Sequence, residues 1–126
     1  MLIVDTDVLI WYLRGNEKAY KTIESLDNFS ISVITYMELV QGMRNKKELN
    51  SLRQALHAWN TTILYITEEI SAKAMFAVEQ HFLSNSMQLA DALIGSTAVA
   101  HGLTLITGND KHYKIMKDVQ IKRFRP

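Results

Sequence analysis

The chain has 126 residues, with 14 Lys and Arg, 13 Asp and Glu, and no cysteine. At this length we expect one domain, residues 1–126, with a core that is stable without cross-links. The absence of cysteine excludes disulfide scaffolds, thiolate-bound zinc, iron–sulfur clusters and thiol catalysis. The N-terminus lacks an export signal, and no run approaches the roughly 18 apolar residues of a membrane span. We therefore expect a cytoplasmic protein with no membrane partner.

Short apolar runs alternate with helical patterns along the whole chain. In chain order the pattern predicts a strand at 2–4, helices at 8–13 and 17–26, a strand at 29–34, a long helix over 35–59 with a break at 46–48, a strand at 61–66, a helix at 68–83, a loop at 84–86, a helix at 89–101 ended by Gly102, and strands at 103–106 and 119–121. The strands are continuous apolar runs. They predict an α/β fold in which a short, mostly parallel sheet has helices on both faces.

Acidic and small polar residues follow the predicted strands. In a parallel sheet the carboxyl ends of the strands form the ligand-binding edge. The polar residues at this edge are Asp5, Asp7, Thr35, Glu38, Thr107, Asn109 and Asp110. Asp91 lies in the first turn of the helix that leads into the fourth strand.

Several of these residues have a simple explanation as helix caps. Asp7 is a suitable N-cap for a helix that begins at Val8. Thr35 and Glu38 have the spacing of a capping box. Asp91 lies where the helix dipole favours an acid.

Capping does not explain the acids as a group. Asp5 is too early to cap a helix beginning at Val8, and Asp91 shares a helical face with Gly95 and Ala98, where a carboxylate needs a partner. Carboxylates gathered at one edge repel each other, and a divalent cation relieves that repulsion. The four histidines have no metal-ligand spacing and are interpreted as surface or interface residues. Oxygen ligands alone favour Mg²⁺ or Mn²⁺.

Four segments together resemble the PIN domain, and most closely the VapC-type toxins of bacterial and archaeal toxin–antitoxin pairs. They are Leu2-Ile3-Val4-Asp5-Thr6-Asp7, Thr35-x-x-Glu38-Leu39, Ala90-Asp91-Ala92-Leu93-Ile94, and Leu105-Ile106-Thr107-Gly108-Asn109-Asp110 with Lys111-His112-Tyr113. The resemblance covers nearly the whole chain. It implies an endoribonuclease that depends on Mg²⁺ or Mn²⁺, forms a homodimer, and is the toxin partner of a cognate antitoxin protein.

The resemblance also implies which residues act. Asp5, Glu38 and Asp91 match the family's first three acidic positions. Asp5 and Asp91 are expected to bind the metal, and Glu38 either ligates it or orients the attacking water.

The fourth acidic position is open between two neighbours. Asn109 aligns with it but lacks charge, whereas Asp110 is charged but lies one residue further on. We include Asp110 among the catalytic candidates and Asn109 among the supporting ones. Thr6 and Thr107 match small hydroxyl positions that support the site.

The near-zero net charge conceals an uneven distribution. Residues 1–110 carry a net charge of −4, and residues 111–126 carry +5. A basic segment next to an acidic centre is typical of contact with the phosphates of nucleic acid. Lys111, Lys114 and Arg123 are therefore the candidate RNA-binding residues.

Parts of the sequence or its length resemble three other kinds of protein. Asp5-x-Asp7 after an apolar strand resembles the nucleophile motif of haloacid-dehalogenase phosphatases, but Leu9 stands where that motif continues with Thr or Val. A response-regulator receiver domain requires an Asp after the third strand, which this chain lacks. A catalytically inactive PIN-like module that binds RNA also remains. The acids Asp5, Glu38 and Asp91 favour the nuclease.

Overall fold

The computed structural model describes residues 1–84 and 87–126, and within them the chain forms five strands and seven helices. The strands are β1 (Leu2–Val4), β2 (Ser30–Ser32), β3 (Thr62–Leu64), β4 (Thr104–Thr107) and β5 (Ile121–Arg123). The helices are α1 (Thr6–Leu13), α2 (Glu17–Glu24), α3 (Val33–Gln41), α4 (Lys46–Ala58), α5 (Glu68–His81), α6 (Leu89–His101) and α7 (Asp110–Tyr113). The last two residues of the predicted loop at 84–86 lie outside the described residues. No helix of the described part has the length and apolar character needed to cross a membrane.

The five strands form one sheet in the order β3-β2-β1-β4-β5, and every neighbouring pair is parallel. This confirms the predicted α/β fold with a parallel sheet. β1 is the central strand, with β2 and then β3 on one side of it and β4 and then β5 on the other. Such a reversal of strand order opens a crevice at the carboxyl end of the central strand. Asp5 follows β1 directly and therefore lies at this crevice.

Both faces of the sheet are covered, which explains why the strands are apolar throughout. Val4 and Ile106 point into the core formed with α1, α2, α3 and α4. Their neighbours Ile3 and Leu105 point to the opposite face, where they pack with Ile94 of α6 and with the α7 region. Successive side chains of a strand alternate between faces, so each strand needs apolar residues at consecutive positions.

The N-terminus of α1 differs from the prediction. The N-cap is Asp5, whose Oδ1 accepts a hydrogen bond from the backbone N of Thr6 at 2.8 Å. Asp7 lies in the first turn of the helix, so its interpretation as the N-cap of a helix beginning at Val8 is wrong. The physical reason is that β1 passes into α1 without a loop, which brings both carboxylates to the strand end.

The start of α3 differs for the same reason. The N-cap is Ser32, the last residue of β2, whose hydroxyl accepts a hydrogen bond from the N of Ile34 at 3.0 Å. Thr35 and Glu38 are inside the helix, so the predicted capping box is wrong. Their side chains are consequently free to serve other contacts.

Other boundaries agree more closely. The predicted helix at 89–101 is confirmed as α6, and Gly102 ends it in the left-handed conformation with φ 64°. The long helix is broken earlier than predicted, since α3 ends at Gln41 and Asn45 caps α4. The last strand, β5, lies two residues further on than expected.

Candidate active site

A cleft of about 210 Å³ lies at the carboxyl end of the central strands. The sequence-predicted acids Asp5, Glu38 and Asp91 all line it, although they come from the N-cap of α1, from α3 and from α6. The remaining lining residues are Thr6, Asp7, Ile10, Gln88, Ala90, Ile94, Asn109 and His112. A larger groove of about 580 Å³ lies between α5, α6 and residues 115–119, but none of the predicted site residues lines it. The acidic cleft is therefore the candidate site.

Asp5 is buried and held on both carboxylate oxygens. Its Oδ1 accepts from the N of Thr6 at 2.8 Å, and its Oδ2 accepts from the Thr107 hydroxyl at 2.7 Å. Burial, and after it the nearby charge of Asp7, raise the pKa of Asp5 to about 7, although the hydrogen bonds from Thr107 and Thr6 oppose the shift. The carboxylate is thus fixed in place but electrostatically unfavourable when ionised. A cation beside it would remove that penalty.

Asp7 also lines the cleft, although the sequence analysis placed it at this edge without including it among the site residues. Its Oδ2 accepts a hydrogen bond from the N of Gly108 at 2.9 Å, and burial raises its pKa. Its Oδ1 is buried and has no hydrogen-bond partner among the residues that the structure describes. A buried carboxylate oxygen without a donor is rare, and a cation or a water molecule would satisfy it. The available signal was the position of Asp7 at the carboxyl end of β1, but Asp7 was interpreted as a helix cap, and the Asp5-x-Asp7 spacing was considered only as a phosphatase motif.

Glu38 reaches the cleft through a network of hydroxyls. Its Oε1 accepts a hydrogen bond from the Thr6 hydroxyl at 2.7 Å, and the Thr6 and Thr35 hydroxyl oxygens are 2.9 Å apart. Because a hydroxyl has one proton and a carboxylate only accepts, Thr6 donates to Glu38 and receives the proton of Thr35. Thr6 therefore links α1 to α3 and orients Glu38.

Asp91 is paired with His112, a residue that was interpreted as lying at the surface or an interface. Asp91 Oδ2 lies 3.2 Å from His112 Nδ1 and 3.3 Å from the N of Gln88. Burial raises the pKa of Asp91, and the charge of His112 is the main opposing influence. The surface interpretation of His112 was incomplete, because the imidazole lines the cleft. The 21-residue separation of the two side chains gave no signal in the sequence.

The two candidates for the fourth position point in different directions. Asn109 lines the cleft, and its backbone N donates to the Thr107 hydroxyl at 2.9 Å. Asp110 is buried, and its Oδ1 lies 2.9 Å from a guanidinium nitrogen of Arg125. Arg125 lowers the pKa of Asp110. The structure does not bring Asp110 to the cleft with the other acids.

The predicted RNA-binding residues lie near the cleft but outside it. Lys111 and Lys114 are exposed at α7, the short helix that begins at the cleft, and Arg123 is exposed on β5. None of the three forms an ion pair within residues 1–84 and 87–126. Their charges are therefore available to a ligand.

The donor set of the cleft fits a divalent cation. Four carboxylates and the Asn109 amide offer oxygen ligands, the chemistry that Mg²⁺ and Mn²⁺ prefer. Within the described ranges no three acidic or histidine side chains are already arranged around one metal position. The carboxylates instead face hydrogen-bond donors such as Thr6, Thr107 and His112. The unpartnered oxygen of Asp7 and the raised pKa of Asp5 are the observations that support the fit.

Known proteins resemble this chain over most of its length. A family model described as the PIN domain matches residues 2–118. Ribonuclease VapC10 of Mycobacterium tuberculosis is 32% identical over 124 residues, covering 95% of this chain and 91% of that protein. Ribonuclease VapC1 of Methanocaldococcus jannaschii is 29% identical over 126 residues, covering 96% and 85% respectively. A solved toxin–antitoxin complex from Klebsiella pneumoniae contains a chain with a TM-score of 0.79 and 29% identity, covering 94% of this chain and 95% of that one.

Proposed function

The chain belongs to the PIN domain family, and we propose that it is a metal-dependent endoribonuclease that hydrolyses phosphodiester bonds in RNA. The observation that carries this proposal is the meeting of Asp5, Asp7, Glu38 and Asp91 in one cleft. The names of the two ribonuclease relatives support RNA as the substrate. The whole chain, residues 1–126, acts as one unit.

Asp5 and Asp91 would hold Mg²⁺ or Mn²⁺, and the unpartnered Oδ1 of Asp7 supports adding this residue to the set. When bound, the cation supplies an electrophile for a phosphate oxygen and lowers the pKa of a coordinated water. Glu38 either completes the ligands or orients the attacking water, and Thr6 fixes its carboxylate for that task. Thr107 does the same for Asp5.

Asn109 takes the fourth acidic position, and its place in the cleft supports this choice. Its amide oxygen accepts a hydrogen bond from water or binds the cation without adding charge. Asp110 acts indirectly. It pairs with Arg125, and Arg125 donates a hydrogen bond to the O of Gly108 at 3.1 Å, so the pair stabilises the turn that contains Asn109.

The exposed cations bind the substrate backbone. Lys111 and Lys114 flank the cleft-lining His112 in the sequence, and Arg123 extends the same basic segment on β5. Contacts of lysine and arginine with phosphates are independent of base identity and weaken as salt rises. These residues therefore contribute to affinity for RNA and leave base selection to the cleft.

The protein partners follow from the same comparison. The Klebsiella pneumoniae neighbour was solved as a toxin–antitoxin complex, which supports a cognate antitoxin for this chain and a toxin role for its nuclease activity. A second copy of the chain completes a homodimer. The strongly exposed apolar side chains near the end of α5, Phe76, Phe82 and Leu83, support burial against another protein surface.

A cleavage assay tests the proposal. The wild type is incubated with RNA in Mg²⁺, in Mn²⁺ and in chelator, and compared with Asp91→Asn. Asp27→Asn is the matched control, because Asp27 is exposed and does not line the cleft. We expect cation-dependent cleavage by the wild type and Asp27→Asn but not by Asp91→Asn. Hydrolysis of a small phosphomonoester without RNA cleavage would favour the phosphatase alternative, and RNA binding without cleavage would favour the inactive module.

A further inference from the structure

The turn that joins β4 to α7, residues 107–110, holds two carboxylates of the acidic cleft. The Thr107 hydroxyl donates to Asp5 Oδ2 at 2.7 Å, and the backbone N of Gly108 donates to Asp7 Oδ2 at 2.9 Å. Both donors belong to the same short turn, so a displacement of the turn alters both contacts together. Whatever fixes the β4–α7 turn therefore affects the geometry of the cleft.

The two residues that follow β5 hold this turn. The backbone N of Phe124 donates to the O of Thr107 at 2.8 Å. Arg125 Nη1 donates to the O of Gly108 at 3.1 Å and to the O of Phe124 at 3.1 Å. Its Nη2 lies 2.9 Å from Asp110 Oδ1. One guanidinium thus connects two points of the β4–α7 turn to the chain that follows β5.

Gly108 is the point where the turn meets both the acid and the segment after β5. A Cβ atom at Gly108 would lie 2.6 Å from Asp7 Oδ2 and 3.3 Å from the O of Phe124. Both distances are shorter than ordinary van der Waals contact. The turn therefore has little room to move without changing its contact with Asp7.

Neutralisation of Asp110 does not explain all the contacts of Arg125. Asp110 is buried and needs a cationic partner, which Arg125 Nη2 supplies. The hydrogen bonds from Nη1 to two backbone carbonyls go beyond that need. They use the rigid, planar set of donors that distinguishes a guanidinium from a lysine ammonium. Because Arg125 does not line the cleft, its effect on the acids passes through the turn.

We propose that Arg125 is a positioning residue for the acidic cleft, and that its guanidinium fixes the β4–α7 turn so that Gly108 holds the Asp7 carboxylate and Asn109 faces the cation. The inference rests on the proposed function. Arg125 lies beyond residues 2–118, which the PIN domain model matches, so this role goes beyond the family match. Groups that orient the surroundings of a metal without touching it commonly affect its affinity.

Arg125→Gln tests the inference, because it removes the guanidinium from a side chain that is 49% exposed and is not needed to fill the core. Lys122→Gln is the matched control, since it removes one positive charge from an exposed residue of β5 that has no ion pair in the described part of the chain. Mn²⁺ dissociation constants are measured by calorimetry for the full chain. The exchange of single amide hydrogens with solvent is measured by nuclear magnetic resonance in chelator.

For Arg125→Gln we expect about tenfold weaker Mn²⁺ binding. The Gly108 amide hydrogen should exchange faster relative to that of Ala19, a distant amide at the start of α2. A simple charge effect has the opposite sign, because removal of a positive charge near the cleft would favour a bound cation. Arg125→Lys keeps the charge without the planar donors, so we expect a smaller loss of Mn²⁺ affinity. Lys122→Gln should match the wild type in both measurements.

Three results would overturn the inference. The first is wild-type Mn²⁺ affinity in either Arg125 variant. The second is a Gly108 amide hydrogen that exchanges no faster in Arg125→Gln relative to Ala19. The third is an equal loss of Mn²⁺ affinity in Lys122→Gln, because the effect would then not be specific to the turn. Failure of the proposed function has a different signature, since the wild type itself would then bind no Mn²⁺, and this inference would fall with it.

Discussion

His112 Nδ1 lies 3.2 Å from Asp91 Oδ2, so an imidazole from α7 orients a carboxylate from α6 at the edge of the acidic cleft. Both residues line the cleft, and Gln88 adds a backbone donor to the same oxygen. A group that holds a ligating side chain commonly affects metal affinity and activity although it does not bind the metal. We therefore infer that His112 supports the site through Asp91.

Removal of the His112 imidazole should weaken the site without unfolding the chain. For His112→Ala we expect RNA cleavage at subsaturating Mg²⁺ to fall by about tenfold and to recover partly at high Mg²⁺. The RNA cleavage rates of the wild type and the variant are measured over a range of Mg²⁺ concentrations. His57→Ala is the control, since His57 is exposed on α4. Equal rates for the two variants at every concentration would argue against a role for His112.

The raised pKa of Asp5 predicts a pH-dependent stability in the absence of divalent cations. Because its folded-state pKa is about 7 instead of 3.8, the folded chain binds this proton more tightly than the unfolded chain. The stabilisation is therefore present at low pH and is lost as the pH rises through about 7, an effect on the order of 4 kcal/mol.

Asp5→Asn isolates this effect, because asparagine does not titrate. We expect the free energy of unfolding of the wild type to fall relative to that of Asp5→Asn between pH 5 and pH 8. Denaturant titrations of both proteins in chelator, at several pH values, measure these free energies of unfolding. A constant difference between the two proteins would mean that Asp5 has an ordinary pKa.

Asn109 and Asp110 should respond differently to substitution. Asn109→Ala removes a cleft-lining amide, so we expect a loss of cleavage with little change in melting temperature. Asp110→Asn weakens the pair with Arg125, so we expect a lower melting temperature and retention of most of the cleavage. The two variants are compared by cleavage rate and thermal unfolding. The opposite assignment would follow if Asp110→Asn lost cleavage and Asn109→Ala kept it.

Gly108 allows Asp7 to approach the backbone. A Cβ atom at this position would lie 2.6 Å from Asp7 Oδ2, which is far inside contact distance. We expect Gly108→Ala to displace the Asp7 carboxylate and to reduce RNA cleavage by about tenfold or more. Gly42→Ala is the control, because its Cβ would meet its nearest neighbour at an ordinary 3.4 Å. Full cleavage by Gly108→Ala would remove Asp7 from the working set.

The basic segment should determine the salt dependence of RNA binding. Replacing Lys111, Lys114 and Arg123 by Gln should reduce the slope of log affinity against log salt by about 2, if each contacts one phosphate of single-stranded RNA. Filter binding in a catalytically inactive Asp91→Asn background measures the slope. A control pair, Lys18→Gln and Lys21→Gln on α2, should leave it unchanged. An unchanged slope in the triple variant would exclude these residues from the interface.

The sequence was sufficient to predict the sheet edge but not every contact across it. Asp5 and Glu38 could be found because parallel strands end together, so polar residues that follow β1 and β2 must be neighbours. Asp91 was found from its unusual place on an apolar helical face. Each of these three acids was therefore found from the residues next to it in the sequence.

Contacts made across long sequence separations could not be predicted. The pairing of Asp110 with Arg125 depends on how β5 lies beside β4, and no local pattern encodes it. Adjacent residues at the start of a helix point about 100° apart. Asn109 therefore lines the cleft, whereas its neighbour Asp110 points into the interior. Asp7 was interpreted as a cap and not as a site residue, because the sequence did not reveal that β1 passes into α1 without a loop.

The most direct test of the central claim is electron paramagnetic resonance of Mn²⁺ bound to the protein, recorded for the wild type, Asp5→Asn, Asp91→Asn and Asp27→Asn. We predict that the wild type and Asp27→Asn bind Mn²⁺, and that Asp5→Asn and Asp91→Asn have lost most of this binding while remaining folded. Equal Mn²⁺ binding by all four proteins would contradict the claim that these carboxylates form the metal site of the nuclease.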